Sequence, residues 1–166
     1  STATGVFGVP DWNAAEWLTG ATSATAPYTK LGPSDREILS YNPITKLGIP
    51  FLWGNLDVSQ QDLLDINPDT LVDDNNGPQR LNWLRGDQTN EGIGASNYRK
   101  RVLSRLGDIV NSSPVYVGSP NKGYTFSGYA TFAASNSGRT PMMYVGSNDG
   151  MLHGFQESDG KELFAF

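Results

Sequence analysis

The chain has 166 residues, a net charge of −5, 19 Gly, 10 Pro and no Cys, and only 37% of its residues are hydrophobic. That length suits one domain with a usable core, and so many turn formers favour short elements over long helices. The missing cysteines exclude disulfides, thiolate catalysis and Cys-ligated zinc, and the acidic balance argues against nucleic-acid binding, because phosphates need cations to neutralise them.

In chain order, Pro10 to Thr19 reads as a short helix started by Pro10 or Asp11, with Trp12, Ala15, Glu16 and Leu18 near one face. Gly20 to Pro33 reads as a loop, being rich in Thr, Ala, Ser, Gly and Pro. Arg36 to Tyr41 alternates as a strand, and Gly48 to Gly54 is a second apolar piece broken by Pro50. Asp57 to Ile66 is a stronger helix, with Asp57 as N-cap, Leu56, Leu63, Leu64 and Ile66 on its apolar side, and Pro68 beyond its end. Asp73 to Gly77 is an acidic loop. Pro78 to Arg85 is a third helix with Pro78 in its first turn and Leu81, Trp83 and Leu84 turned inward.

The second half reads as β-rich. Pro114 to Gly118 is a strand, Asn121 to Gly123 a turn, and Tyr124 to Ala134 an aromatic strand or pair of strands. Met142 to Val145 is an apolar strand, and Asn148-Asp149-Gly150 is a tight-turn signal. Met151 to Phe155 returns, Ser158-Asp-Gly160 turns again, and Glu162 to Phe166 begins one more strand. Ser113-Pro-Val-Tyr-Val-Gly-Ser119 echoes Thr140-Pro-Met-Met-Tyr-Val-Gly-Ser147, with Tyr116 and Tyr144 28 positions apart. That spacing suggests a repeated structural unit.

No apolar run approaches the ~20 residues of a membrane span, and no leader pattern opens the chain. Ser1 and the apolar end at Phe166 read as cut ends, so a segment of a longer protein is expected. Charge is uneven: residues 1–97 hold 5 Lys/Arg against 12 Asp/Glu, whereas residues 98–166 hold 7 against 5.

Several stretches together resemble one family. They are Trp83-Leu-Arg-Gly-Asp87, Arg99 with Arg101, Leu106-Gly-Asp-Ile-Val-Asn-Ser-Ser-Pro-Val-Tyr-Val-Gly118, Tyr124 with Phe126, and Tyr144-Val-Gly-Ser-Asn-Asp-Gly-Met-Leu-His-Gly-Phe155. The chain resembles the PilC/PilY type IV pilus assembly proteins and tip adhesins. The resemblance implies a mainly β fold of quinoprotein-like β-propeller type. Residues 1–105 would be its opening segment, with short helices, and residues 106–166 the strands of its first blades. It implies a non-enzymatic scaffold outside the cell or at the outer membrane, acting in pilus assembly and surface adhesion. Its partners would be minor pilins, the rest of the propeller, and host or abiotic surfaces. The scaffold residues would be Leu106, Gly107, Asp108, Pro114, Tyr116, Gly118, Tyr144, Gly146, Asn148, Asp149, Gly150, His153 and Phe155, with Trp83. The family's calcium loop would lie further along the polypeptide, so no cofactor is expected in this segment.

Other motifs carry competing chemistry. Arg85-Gly86-Asp87 is a candidate adhesion tripeptide of the kind integrins read, provided both side chains are exposed; otherwise Arg85 and Asp87 serve local ion pairs and caps. Asp73, Asp74 and Asn75 could ligate calcium, but the EF-hand register fails, since Gly77 at its sixth position puts Val72 first and Trp83 twelfth. Gly92-Ile-Gly94 lacks the third glycine and the preceding strand of a dinucleotide fingerprint. Asn111-Ser-Ser113 fits a glycosylation acceptor but reads better as turn chemistry. Arg99, Lys100, Arg101 and Arg105 form the one basic cluster, expected to be solvated, paired with the acidic first half, or set against an anionic surface. His153 is the sole histidine; a catalytic role would need a nucleophile and an orienting acid beside it, and a structural role is expected. The rivals to the pilus reading are a pyrroloquinoline-quinone dehydrogenase-like propeller fragment and a generic propeller interaction module.

Overall fold

The computed structural model describes residues 11–19, 31–92 and 98–166. A four-stranded antiparallel sheet in the order β3-β4-β5-β6 occupies the C-terminal part: β3 (Val115–Val117), β4 (Met142–Gly146), β5 (Leu152–Gln156) and β6 (Glu162–Ala165). A separate hairpin, β1 (Leu39–Asn42) with β2 (Leu47–Pro50), precedes three helical pieces. These are a 3-10 turn at Trp53–Asn55, α2 (Val58–Asp65) and α3 (Gly77–Leu84). A short helix, α1 (Ala14–Thr19), comes first.

The opening residues fasten to the far side of the sheet. Ile38 makes a parallel bridge to Ala165 of β6, and the Ala165 N–H donates to the Glu37 carbonyl at 2.9 Å. Ile38, Met151 and Ala165 form a buried cluster with Phe51 and Leu84 packed against it. The indole N–H groups of Trp12 and Trp17 donate to the carbonyls of Glu157 and Asp159 in the β5–β6 turn, at 2.6 and 2.9 Å. Trp17, absent from the expected apolar face of its helix, is buried along with Leu18.

The helix at Asp57 forms for the expected reason. Asp57 Oδ1 accepts from the Ser59 and Gln60 N–H groups at 2.9 and 3.3 Å, and Gln60 Oε1 accepts from the Asp57 N–H at 3.2 Å. This is a complete capping box. Of its expected apolar side only Leu56, just before the helix, is buried: Leu63 is 74% exposed, and α2 itself buries none of its residues. In α3, Pro78 stands in the first turn and Leu81 is buried, while Trp83 and Leu84 are half-buried. The loop expected at Gly20 to Pro33 lies largely outside the described residues, as does Gly94.

Residues 124–134 depart from expectation. Instead of an aromatic strand, they lead into α4 (Tyr129–Ser135). Gly128 starts it with φ 89°, a left-handed conformation that breaks any extended run. Ala130, Ala133 and Ala134 favour helix. The helical spacing brings Tyr129 and Phe132 together at 6.1 Å between ring centroids, beside Tyr124 and Phe126.

The two echoing motifs are neighbours in one sheet. Val115 pairs with Tyr144 and Tyr116 with Met143 across the antiparallel β3–β4 ladder. The 28-residue spacing therefore relates two adjacent strands joined through α4, and does not relate matching strands of successive units. Tyr144 lies opposite Gly154, which lies opposite Phe164, and the two rings approach to 6.0 Å. Tyr116 is 59% exposed, so it is not a core residue here.

Candidate functional site

Two of the recognised stretches meet at the Asn148-Asp149-Gly150 turn. The Asn148 N–H donates to the Asp108 carbonyl at 2.9 Å, and the Gly107 N–H donates to Asp149 Oδ2 at 3.1 Å. Gly107 is required by this close approach, because a Cβ there would sit 3.0 Å from the Asn148 carbonyl carbon and collide with the Asp149 N. Gly150 takes the expected positive φ, 86°. The Gly146 N–H donates to Ser112 Oγ at 3.1 Å, adding a third tie between the segments.

His153 points inward from β5 and is fully buried. Its Nδ1 lies 2.8 Å from Glu162 Oε1 on β6, and its Nε2 lies 3.1 Å from both oxygens of Asp149. Ser147 Oγ is 3.0 Å from the same Nε2, with its O–H directed to Asp149 Oδ1. Behind Glu162 stands Arg36, which donates from Nε to Oε2 at 2.6 Å and from Nη2 to Oε1 at 2.8 Å. The Phe155 ring stacks on the imidazole at 5.4 Å, nearly parallel.

Ser147, His153 and Glu162 thus sit in the order of a hydrolytic triad, but the protons are wrong for one. An ionised carboxylate only accepts hydrogen bonds. With Glu162 on Nδ1 and Asp149 on Nε2, both ring nitrogens must donate, so the imidazole is a cation. A general base needs a free lone pair on the nitrogen facing the nucleophile. Energetics agree. Burial alone would pull the His153 pKa down, but the hydrogen bonds and charges of Asp149 and Glu162 raise it above the ordinary value. Burial would raise the carboxyls, but His153 and Ser147 hold Asp149 far below its usual range, and His153 and Arg36 depress Glu162. The cluster is a clamp of alternating charge, Asp149–His153–Glu162–Arg36. Only His153 and Asp149 were identifiable as candidates in the sequence; Ser147, Glu162 and Arg36 were not.

The Arg-Gly-Asp tripeptide folds inward. Arg85 is 5% exposed, and its guanidinium donates to the carbonyls of Phe51, Pro33 and Arg36 at 3.0, 2.7 and 3.3 Å. Asp87 Oδ1 accepts from the Thr89 N–H and hydroxyl at 2.9 and 2.6 Å. The exposed, splayed side chains that an adhesion tripeptide needs are not present; Asp87 makes a local cap on Thr89, whereas Arg85 holds carbonyls far from it in the chain.

The basic cluster divides. Arg101 pairs with Glu91 at 2.5 Å and lies 4.3 Å over the Trp83 ring, which also stacks with Tyr98. Arg105 is buried, whereas Arg99 and Lys100 are exposed. In the acidic loop, Asp74 pairs with Arg80 at 2.9 Å. Burial works against its charge, yet the Arg80 and Asn76 hydrogen bonds hold its pKa down to about 2. Among the described residues, no group of three or more His, Cys, Asp or Glu is placed to hold a metal, and no helix is long and apolar enough to cross a membrane.

Residues 106–166 match the family model described as the PilY1 beta-propeller domain. The chain is 43% identical over 144 residues to type IV pilus biogenesis factor PilY1 of Pseudomonas aeruginosa strain PAK, covering 81% of this chain and 12% of that protein. It is 39% identical over 177 residues to the PilY1 of P. aeruginosa strain UCBPP-PA14, covering all of this chain and 14% of that one. A PilY1 homolog of Xylella fastidiosa is 52% identical over 95 residues, covering 53% of this chain and 8% of the relative. The chain therefore spans a small part of each relative's length. No solved structure matches it.

Proposed function

The chain belongs to the PilY1 family of type IV pilus biogenesis factors, and from that premise we propose that it is a rigid, non-catalytic scaffold segment of a pilus-tip propeller. The propeller is of quinoprotein-like architecture and acts outside the cell, in pilus assembly and surface adhesion. Minor pilins and the remaining blades are its partners, and the segment itself holds no cofactor.

The observation that carries this reading is the double carboxylate grip on His153, both of whose nitrogens are consumed within residues that match the family model. A site so arranged stiffens the β4–β5–β6 turns and ties them to Arg36 of the opening segment. It offers no free base.

Complementation of a strain lacking the full-length gene tests the reading. Wild type and Ser147→Ala are expected to restore surface pili equally, whereas His153→Leu loses pili in step with loss of folded protein. A folded Ser147→Ala protein that fails to restore pili would point to chemistry at the serine. Dye-linked alcohol oxidation by the full-length protein given pyrroloquinoline quinone and calcium would replace the scaffold reading with the dehydrogenase one.

A further inference from the structure

The edge of β3 and the segment around α4 form one surface. β3 is the end strand of its sheet, and among the described residues no strand pairs with its outer edge. Alternate N–H and C=O groups of such a strand point outward without a ladder partner. Beside this edge lies an open cleft of about 580 Å³ lined by Tyr116, Tyr124, Tyr129 and Phe132. Tyr129 is buried, and Tyr124 and Phe132 lean on it at 5.1 and 6.1 Å between ring centroids. Tyr116, Tyr124 and Phe132 keep about half of their surface open to solvent, at 59%, 56% and 48%.

Charge sets this surface apart from the rest of the molecule. Lys122 and Arg139 line the cleft, and no carboxylate does. Residues 109–148 contain no Asp or Glu, in a chain that carries 17 acids against 12 Lys and Arg. Arg139 Nε donates to the Gly118 carbonyl at 2.5 Å, which fixes the guanidinium just past the end of β3. Neither Lys122 nor Arg139 forms an ion pair among the described residues.

We propose that this surface receives an extended acidic segment of a partner protein. The segment adds to β3 as a further antiparallel or parallel strand, sets apolar side chains against the aromatic rings and presents carboxylates to Lys122 and Arg139. Strand addition draws affinity from main-chain hydrogen bonds and specificity from what the alternating side chains meet. The acid-free cleft chooses the charge of the partner, and the open rings choose its apolar side chains. The proposal rests on β3 and the α4 segment and needs no pilus component, so its failure and that of the scaffold reading are separate results.

The test uses the full-length protein and a fluorescein-labelled decapeptide of alternating Val and Glu, read by fluorescence anisotropy. Binding is expected, weakening as salt is added, and absent for the decapeptide of alternating Val and Lys. Affinity is expected to fall about threefold in Lys122→Gln and about tenfold in Arg139→Gln. Lys122 is exposed and is held through its backbone N–H, which donates to the Tyr129 hydroxyl at 2.8 Å, so its variant reads charge without disturbing the fold. Methylating every peptide N–H leaves the charge unchanged and is expected to abolish binding. Equal binding of the Val–Lys peptide, binding that survives methylation, or unchanged affinity in both variants overturns the proposal. No binding at millimolar peptide also overturns it. Sedimentation then identifies the occupant of the edge: a second copy if the protein is a dimer, the rest of its own polypeptide if it is a monomer.

Discussion

At the scale of residues, the molecule turns on a single imidazole. His153 is buried between two carboxylates that favour its protonated form, and that makes the stability of the fold pH-dependent in both directions. Its pKa is raised on folding, so its contribution is fully present below the ordinary value of about 6.5 and fades as pH climbs through the raised value. Asp149 and Glu162 are depressed, so theirs are present above the ordinary carboxylate range of about 4 and fade as pH falls through the depressed values. Thermal unfolding followed across pH is expected to show a plateau between those ordinary values, with decline on both flanks. A midpoint that rises from neutral to alkaline pH would contradict the assignment. Glu162→Gln separates His153 from Arg36 and leaves two buried cations facing a neutral amide. Denaturant unfolding should register a loss of about 3–5 kcal/mol, the usual cost of breaking a buried pair.

This scale was the least legible in the sequence. The lone histidine and the Asn-Asp-Gly turn stood out, but Arg36 and Glu162 are 126 positions apart, and no local pattern couples two opposite charges over that separation. The Arg-Gly-Asp tripeptide shows the converse. It is conspicuous as a string, but its reading depends on exposure, and exposure is set by Phe51, Pro33 and Arg36, far from it in the chain.

Elements were read better, because their signals are local. The Asp57 cap, the Pro78 start, the strand at Met142 and both tight turns near the C-terminus depend on residues within a few positions of each other. Asp57→Ala removes the acceptor for two N–H groups and the first half of a reciprocal box, so chemical unfolding is expected to show about 1 kcal/mol lost. No loss at all would mean that α2 is held by its packing alone. Misreadings arose where two local signals competed. Tyr124 to Ala134 has the aromatics of a strand and the alanines of a helix, and the left-handed Gly128 decides between them. The 28-residue echo was real as sequence, but in the structure it relates two antiparallel neighbours of one sheet.

Over the whole molecule, the opening half closes onto β6 through the Ile38–Ala165 bridge and the Arg36–Glu162 pair, while among the described residues no strand pairs with the outer edge of β3. Val115 and Tyr116 on edge strand β3 are 56% and 59% exposed, beside Tyr124, Phe126 and Phe132 at 56%, 63% and 48%. An unpaired edge next to an aromatic patch is prone to association. Light scattering on the 166-residue chain is expected to show self-association that grows with concentration and is reduced by Val115→Lys. A monomer at every concentration would mean that this side is not adhesive by itself.

The central claim is that the clamp fastening the two halves is ionic and inert, with its imidazole already carrying both protons. Nitrogen-15 NMR of the single labelled histidine tests this directly. The account predicts two protonated ring nitrogens at neutral pH, with titration only well above the ordinary value of about 6.5. A neutral ring with one bare nitrogen, titrating near that ordinary value, would contradict it.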